Sequence, residues 1–302
     1  MPTTAQRVTL RQCALAVSVL GDIDLLPRED GVLIIPADAA SPASAPVPVG
    51  WAELAETVGP HDPLSDAGRA RVTGLLRLYR TVADHGADTD RPLTAGAGET
   101  GSGRHAAPHV IDERIRLAAR ALALPPGHAL HPGSGWVLDE LRGGALDLGV
   151  GVLGLGEHPD DVRPLPPTLA RRLELRPARW WPDLADHLER MGELVSGRIE
   201  RDGRPVLRPV GGCDALTLLA SAPLRENLAG GDGTGLRAVA VPTRRRGWFD
   251  LAQIDPAYTA AAWSIADEPD RGLPTPVLVT RDEVVLPIPG GDIVATSLGS
   301  SD

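Results

Sequence analysis

Apolar and polar positions along this chain alternate between helical and extended periods. Gly31–Pro36 (GVLIIP) is an apolar, β-branched run bounded by Asp30-Gly31 and Pro36, and it reads as a strand. Trp51–Val58 reads as a short helix, followed by Pro60 and Pro63. A longer helix is predicted from about Leu64 to His85. Val72, Leu75, Leu76, Tyr79, Val82 and Ala83 share one of its faces, with Arg69, Arg71, Arg77 and Arg80 on the others. Ser65 or Asp66 can cap this helix and Gly86 ends it. Leu10–Leu20 fits a strand or a short helix equally well. Val110–Leu124 is predicted to be an amphipathic helix, with Asp112 and Glu113 in the first turn where the helix dipole favours them.

Further along, Gly135–Leu141 reads as a short helix, Ala145–Leu155 as a buried strand and Leu173–Trp181 as another strand. Pro182–Arg198 reads as a helix with Pro182 at its first position. Pro205–Val210 and Leu236–Pro242 are predicted strands. Cys213–Ser221, Leu224–Ala229 and Asp255–Ile265 are predicted helices. Pro276–Thr280 and Glu283–Ile288 form a predicted hairpin that turns at Arg281-Asp282. This interleaving implies an α/β or α+β chain, a mixed sheet flanked by helices. Residues 87–108 hold almost no large apolar side chain. They read as a disordered-looking insert, either a flexible linker or a lid over a site. The expected organisation is a helix-rich part at 1–86, the insert at 87–108, a main α/β part at 109–291 and a tail at 292–302. A pocket-based function is expected after residue 108.

Composition narrows the class. The 302 residues carry 30 basic and 40 acidic side chains, a net charge of −10, so the chain as a whole does not attract nucleic acid or an anionic membrane. Every basic residue is Arg, and Phe249 and Asn227 are the sole Phe and Asn. The core is therefore expected to be built from small and branched aliphatics, with Trp as the main bulky filler. Cys13 and Cys213 are too few and too far apart for a disulfide framework or a zinc ribbon. No apolar run approaches a membrane span, and a cytoplasmic location is expected.

Candidate chemistry is sparse. Gly149–Gly156 (GVGVLGLG) contains G-x-G-x-x-G, but the residues after it are Glu157, His158 and prolines, so no helix can begin where a dinucleotide site requires one. A strand whose small residues pack close to a neighbour is expected instead. Leu138–Gly149 (LDELRGGALDLG) resembles the helix-then-strand crossover of type 2 periplasmic-binding folds, including the effector domains of LysR-type regulators. That resemblance implies helix-to-strand topology over this stretch.

Gly133-Ser134-Gly135 precedes a predicted helix. It can cap that helix through Ser134 or present successive N–H groups to an anion. Arg244-Arg245-Arg246, with Trp248 nearby, offers guanidinium forks for a phosphate or carboxylate and a ring for stacking. Cys213 opens a predicted helix and is a candidate nucleophile. His131 is a candidate base. No metal site and no cofactor are expected. Two readings stay open: noncatalytic binding of a protein partner or a small anionic ligand, and an enzyme of an unrecognised family acting on an anionic substrate through the same groups.

Overall fold

A computed structural model describes residues 2–36, 46–86, 115–155, 160–231, 233–250 and 254–287. The predicted insert at 87–108 and the tail at 292–302 lie outside the described residues. Helices and strands combine as expected. The strands form three sheets, and every pairing among the described strands is antiparallel.

The ambiguous N-terminal run is helix α1 (Thr4–Gly21). Thr3 and Gln6 form a capping box at its start, and Leu10, Cys13, Ala14 and Val17 are buried. Strands β1 (Leu25–Pro27), β2 (Gly31–Ile34) and β3 (Val47–Gly50) make a three-stranded meander. Helices α2 (Trp51–Val58) and α3 (Asp66–Gly86) follow, close to their predicted bounds. The Ser65 hydroxyl accepts the Gly68 N–H at 3.1 Å, the N-cap contact foreseen for α3.

The predicted helix over Val110–Leu124 is corrected. Residues 115–118 are helical, but Ala119–Leu124 is strand β4, paired residue for residue with β6 (Asp147–Leu153). Ala and Leu favour helices, yet a continuous apolar run also suits a strand buried on both faces, and the pairing with β6 decides. The free edge of β4 is covered. The Ala123 N–H donates to the Thr217 hydroxyl at 3.0 Å.

Gly135–Leu141 is corrected as well: a single 3₁₀ turn (Ser134–Trp136) leads into strand β5 (Asp139–Glu140). β5 and β6 form a hairpin through Gly143 and Gly144, both at positive φ, where the resemblance implied a helix before the strand. β7 (Val162–Pro164) pairs with the other end of β6, along the same edge as β5. The glycines of β6 serve close packing: a Cβ at Gly149 would stand 2.4 Å from the Trp136 ring.

The strand expected over Leu173–Trp181 is corrected: residues 173–176 are a non-helical link and residues 177–181 open a helix. Helix α4 (Pro167–Arg172) is followed by α5 (Pro177–Asp202). Pro182 lies inside α5, because Pro177 already takes the first position that suits a proline. Helices α6 (Ala215–Leu218) and α7 (Ala222–Gly230) come next. The Glu189 carboxylate, from α5, accepts the Ala222 N–H at 2.9 Å and the Ser221 hydroxyl at 3.1 Å, so it caps α7 from outside. The last sheet holds β8 (Val206–Leu207), β9 (Arg237–Thr243), β10 (Arg246–Trp248) and the predicted hairpin β11 (Val277–Val279) and β12 (Val284–Val285). Helix α8 (Pro256–Ile265) lies against β9. One apolar cluster runs from Leu10 to Val284, so the first 86 residues share a core with the rest.

Arg244, only 5% exposed, ties these parts together. Its side chain meets Asp214 at 2.7 Å and donates to the Val162 carbonyl at 2.9 Å and the Pro269 carbonyl at 3.3 Å. Its backbone pairs with Ala215 and Asp270. His128 is buried nearby, donating from Nε2 to the Arg271 carbonyl while Nδ1 accepts the Leu130 N–H. Burial, then the Arg244 charge, push its pKa down to about 3.

Two outcomes follow from these contacts. Arg244→Met leaves Asp214 and two carbonyls without their donor, so urea unfolding should show a loss of about 3–5 kcal/mol. The exposed Arg246→Ala should stay within about 0.5 kcal/mol of wild type. For His128 the unfolded chain binds a proton that the folded chain refuses, so stability is full above the unfolded value of 6.5 and is lost as pH falls towards 3. In His128→Gln the slope of the urea midpoint between pH 6.5 and pH 5 should flatten relative to wild type, in a range above most carboxylate titration. Identical slopes for the two proteins would refute this account.

Candidate functional site

A cleft of about 340 Å³ opens between α2 and α3 on one side and the Gly133–Gly135 turn and α4 on the other. It does not lie wholly after residue 108 as the sequence suggested, since α2 and α3 supply seven of its nineteen lining residues. Leu75, Leu78, Leu130 and Leu155 give it an apolar floor. Three arginines reach it: Arg71 from α3, Arg163 from β7 and Arg171 from the last turn of α4. Among the described lining residues the single carboxylate is Glu56.

Arg71 sets the character of the cleft. Its guanidinium donates to the Ala129 carbonyl at 2.5 Å, the His131 carbonyl at 3.0 Å and the Thr57 carbonyl at 3.2 Å, and to no carboxylate among the described residues. Burial pushes its pKa down to about 10, which still leaves it charged at neutral pH. Its positive charge therefore has dipoles around it but no counter-charge. The Thr57 hydroxyl, beside it in the wall, is buried and has no partner among the described residues. Arg163 is held by the Pro269 carbonyl at 3.5 Å and by Asp161 at 3.8 Å. Arg171 is exposed and bonds within its own helix, to the Pro167 carbonyl at 3.5 Å.

The Gly-Ser-Gly turn lines this cleft, but the cap residue is Gly133, at φ +100°, and Ser134 is the first residue of the 3₁₀ turn. The Ser134 hydroxyl and the N–H groups of Ser134 and Gly135 take no partner from the described residues. His131 holds the turn in place. Its Nδ1 accepts the Gly133 N–H at 3.0 Å, which leaves the proton on Nε2 to donate to Asp147 Oδ2 at 3.0 Å. Its ring also meets Trp136 edge-on at 5.2 Å. Burial is the largest influence and pushes the His131 pKa down, against the opposing pull of Asp147. Both ring nitrogens are thus engaged, and neither is open as a base.

The other sequence candidates are dispersed. Arg244 is the buried tie described above. Arg245 belongs to a second cleft, of about 470 Å³, that shares Ala70, Leu155 and Arg163 with the first. There Arg245 pairs with Asp161 and lies 3.6 Å from Asp270. Arg246 is exposed on β10. Trp248 is buried and packs on Tyr258 with ring centroids 5.6 Å apart, so its ring is not presented to a cleft. The structure therefore brings the Gly-Ser-Gly turn to arginines, but to Arg71, Arg163 and Arg171 and not to Arg244–Arg246.

Cys213 is fully buried, and burial followed by Asp214 pushes its thiol up to about 12. The helix after it starts at Ala215 with Asp214 as its cap and is four residues long. A protonated, inaccessible thiol is not a nucleophile. Among the described residues no group of three His, Cys, Asp or Glu side chains is placed to hold a metal ion. No helix there is long and apolar enough to cross a membrane.

Sequence reasoning missed Arg71, Arg163 and Arg171. Arg71 was read as one polar position on an amphipathic helix, and nothing in its spacing marks a guanidinium whose partners are all carbonyls. No protein-family model, no curated protein and no solved structure matches this chain.

Proposed function

We propose that this chain is a noncatalytic binding protein whose Arg71 cleft takes a small anionic ligand with an apolar body. The observation that carries the reading is Arg71, a half-buried cation whose partners among the described residues are all carbonyls, in the wall of a cleft. A charge partly withdrawn from water without a counter-charge is disfavoured, and an anion entering the cleft supplies one. Arg163 and Arg171 add positive charge, and the unpartnered Thr57 hydroxyl adds a polar contact. The leucine floor suits the rest of such a ligand, and about 340 Å³ falls in the range of small-molecule pockets. The engaged nitrogens of His131 and the protonated thiol of Cys213 support binding without chemistry.

Short-chain carboxylates of increasing length, with inorganic phosphate as a compact anion, test this by thermal shift and calorimetry at low salt. Stabilisation should appear and should grow with apolar chain length. Arg171→Glu removes an exposed cation and adds a like charge, and should weaken binding by about tenfold or more, or at least 1.4 kcal/mol. Arg246→Glu, on β10 away from the cleft, should bind as wild type. Equal binding by all three proteins, or no binding at all, refutes the assignment.

A further inference from the structure

The two walls of the Arg71 cleft are tied at α4 by the hydrogen bonds of one side chain. Among the described residues Arg172 is the only member of α4 whose side chain hydrogen-bonds outside its own helix. One guanidinium nitrogen donates to the Glu53 carboxylate on α2, and another donates to the Pro48 carbonyl on β3 at 2.7 Å. The guanidinium also lies 5.1 Å from the centre of the Tyr79 ring, on α3. The tie sits beside the cleft: Arg171, next to Arg172, and Glu56, one turn beyond Glu53, both line it.

An exposed ion pair alone would hold little. This one is set deeper. Glu53 is 14% exposed, and its second carboxylate oxygen accepts the Tyr79 hydroxyl at 2.5 Å. Tyr79 is fully buried, and burial pushes its pKa up, so the hydroxyl stays a donor. One oxygen of Glu53 is thus engaged from its own wall and the other from across the cleft. The planar fork of Arg172 serves the carboxylate and the Pro48 carbonyl together, a geometry that an ammonium on a flexible stem does not fix. The rest of that wall has little freedom. Pro164, Pro166 and Pro167 line it with ring-locked backbones, and Leu169 anchors the inner face of α4 in the core. The last turn of α4 can therefore yield to a guest only as far as the Arg172 contacts allow.

We infer that Arg172 is a positioning residue that sets the width of the cleft, so that slender apolar bodies are taken in preference to branched ones. This rests on the anionic-ligand reading above and adds to it the shape of the apolar part. Arg172 does not itself line the cleft; it acts through the placing of α4.

Octanoate and 2-propylpentanoate test this, because they are isomers with the same carboxylate and the same carbon count but different cross-sections. Calorimetry on the full chain should give wild type a preference of about tenfold for octanoate, the effect of a misplaced methylene in a close-fitting pocket. In Arg172→Met, and separately in Glu53→Gln, which keeps an acceptor for Tyr79, that ratio should fall below about threefold with circular dichroism unchanged. Arg172→Lys should give an intermediate ratio. Arg171→Ala removes charge without releasing α4, so it should weaken both acids alike and keep the ratio. If wild type binds neither acid, the anionic-ligand reading falls and this inference falls with it. If wild type binds both acids equally, or if Arg172→Met and Glu53→Gln both keep its preference, that reading stands and the role of Arg172 is overturned.

Discussion

The buried guanidinium of Arg244 is the contact on which the arrangement of elements most depends. A planar cation with five fixed donors cannot be left unsatisfied away from water, so the segments around it must bring acceptors to set positions. Here those acceptors come from β7, from the turn after α8 and from the cap of α6. Three parts of the chain far apart in sequence are thereby fixed relative to one another. The α6 cap is coupled in turn to the β4 edge, since Thr217 both donates its N–H to Asp214 and accepts from Ala123.

The same device recurs. Arg225 donates to the carbonyls of Arg281, Leu219 and Ala220, and Arg71 to those of Thr57, Ala129 and His131. In a chain without lysine, long loops rich in Pro and Gly are pinned by arginine forks whose geometry a flexible ammonium could not reproduce. Arg244 and Arg71 differ in one respect that decides their roles. Arg244 has Asp214 beside it and is electrically closed. Arg71 has carbonyls alone and lies open to a cleft.

Much of the fold was legible where local signals were strong. The Ser65 cap and buried stripe of α3, the bounds of α2 and the β11–β12 hairpin follow from spacing and turn chemistry. The close packing of the β6 glycines follows from the absence of any helix after them. Ala119–Leu124 was not legible as strand, because Ala and Leu favour a helix and only the distant β6 overrides them. Pro182 misled because a proline suits a helix start, and Pro177 had already taken that role. At the site, the Gly-Ser-Gly turn was visible as three small residues in a row. Its arginine partners were not, since burial without a counter-charge is a property of three-dimensional surroundings. The Arg244–Arg246 run looked like one feature in sequence but divides into a buried tie, an exposed pair and a strand position.

The His131–Asp147 contact has a mechanical consequence for the cleft. It bolts the Gly133–Gly135 turn to β6, a strand paired along both of its edges. That jaw cannot swing towards a guest without dragging the sheet or breaking the imidazole's two hydrogen bonds. On the same side of the cleft lies α4, a helix of six residues whose Arg171 faces solvent. Adjustment to guests of different size therefore falls to α4, beside a glycine turn that stays fixed in the same wall.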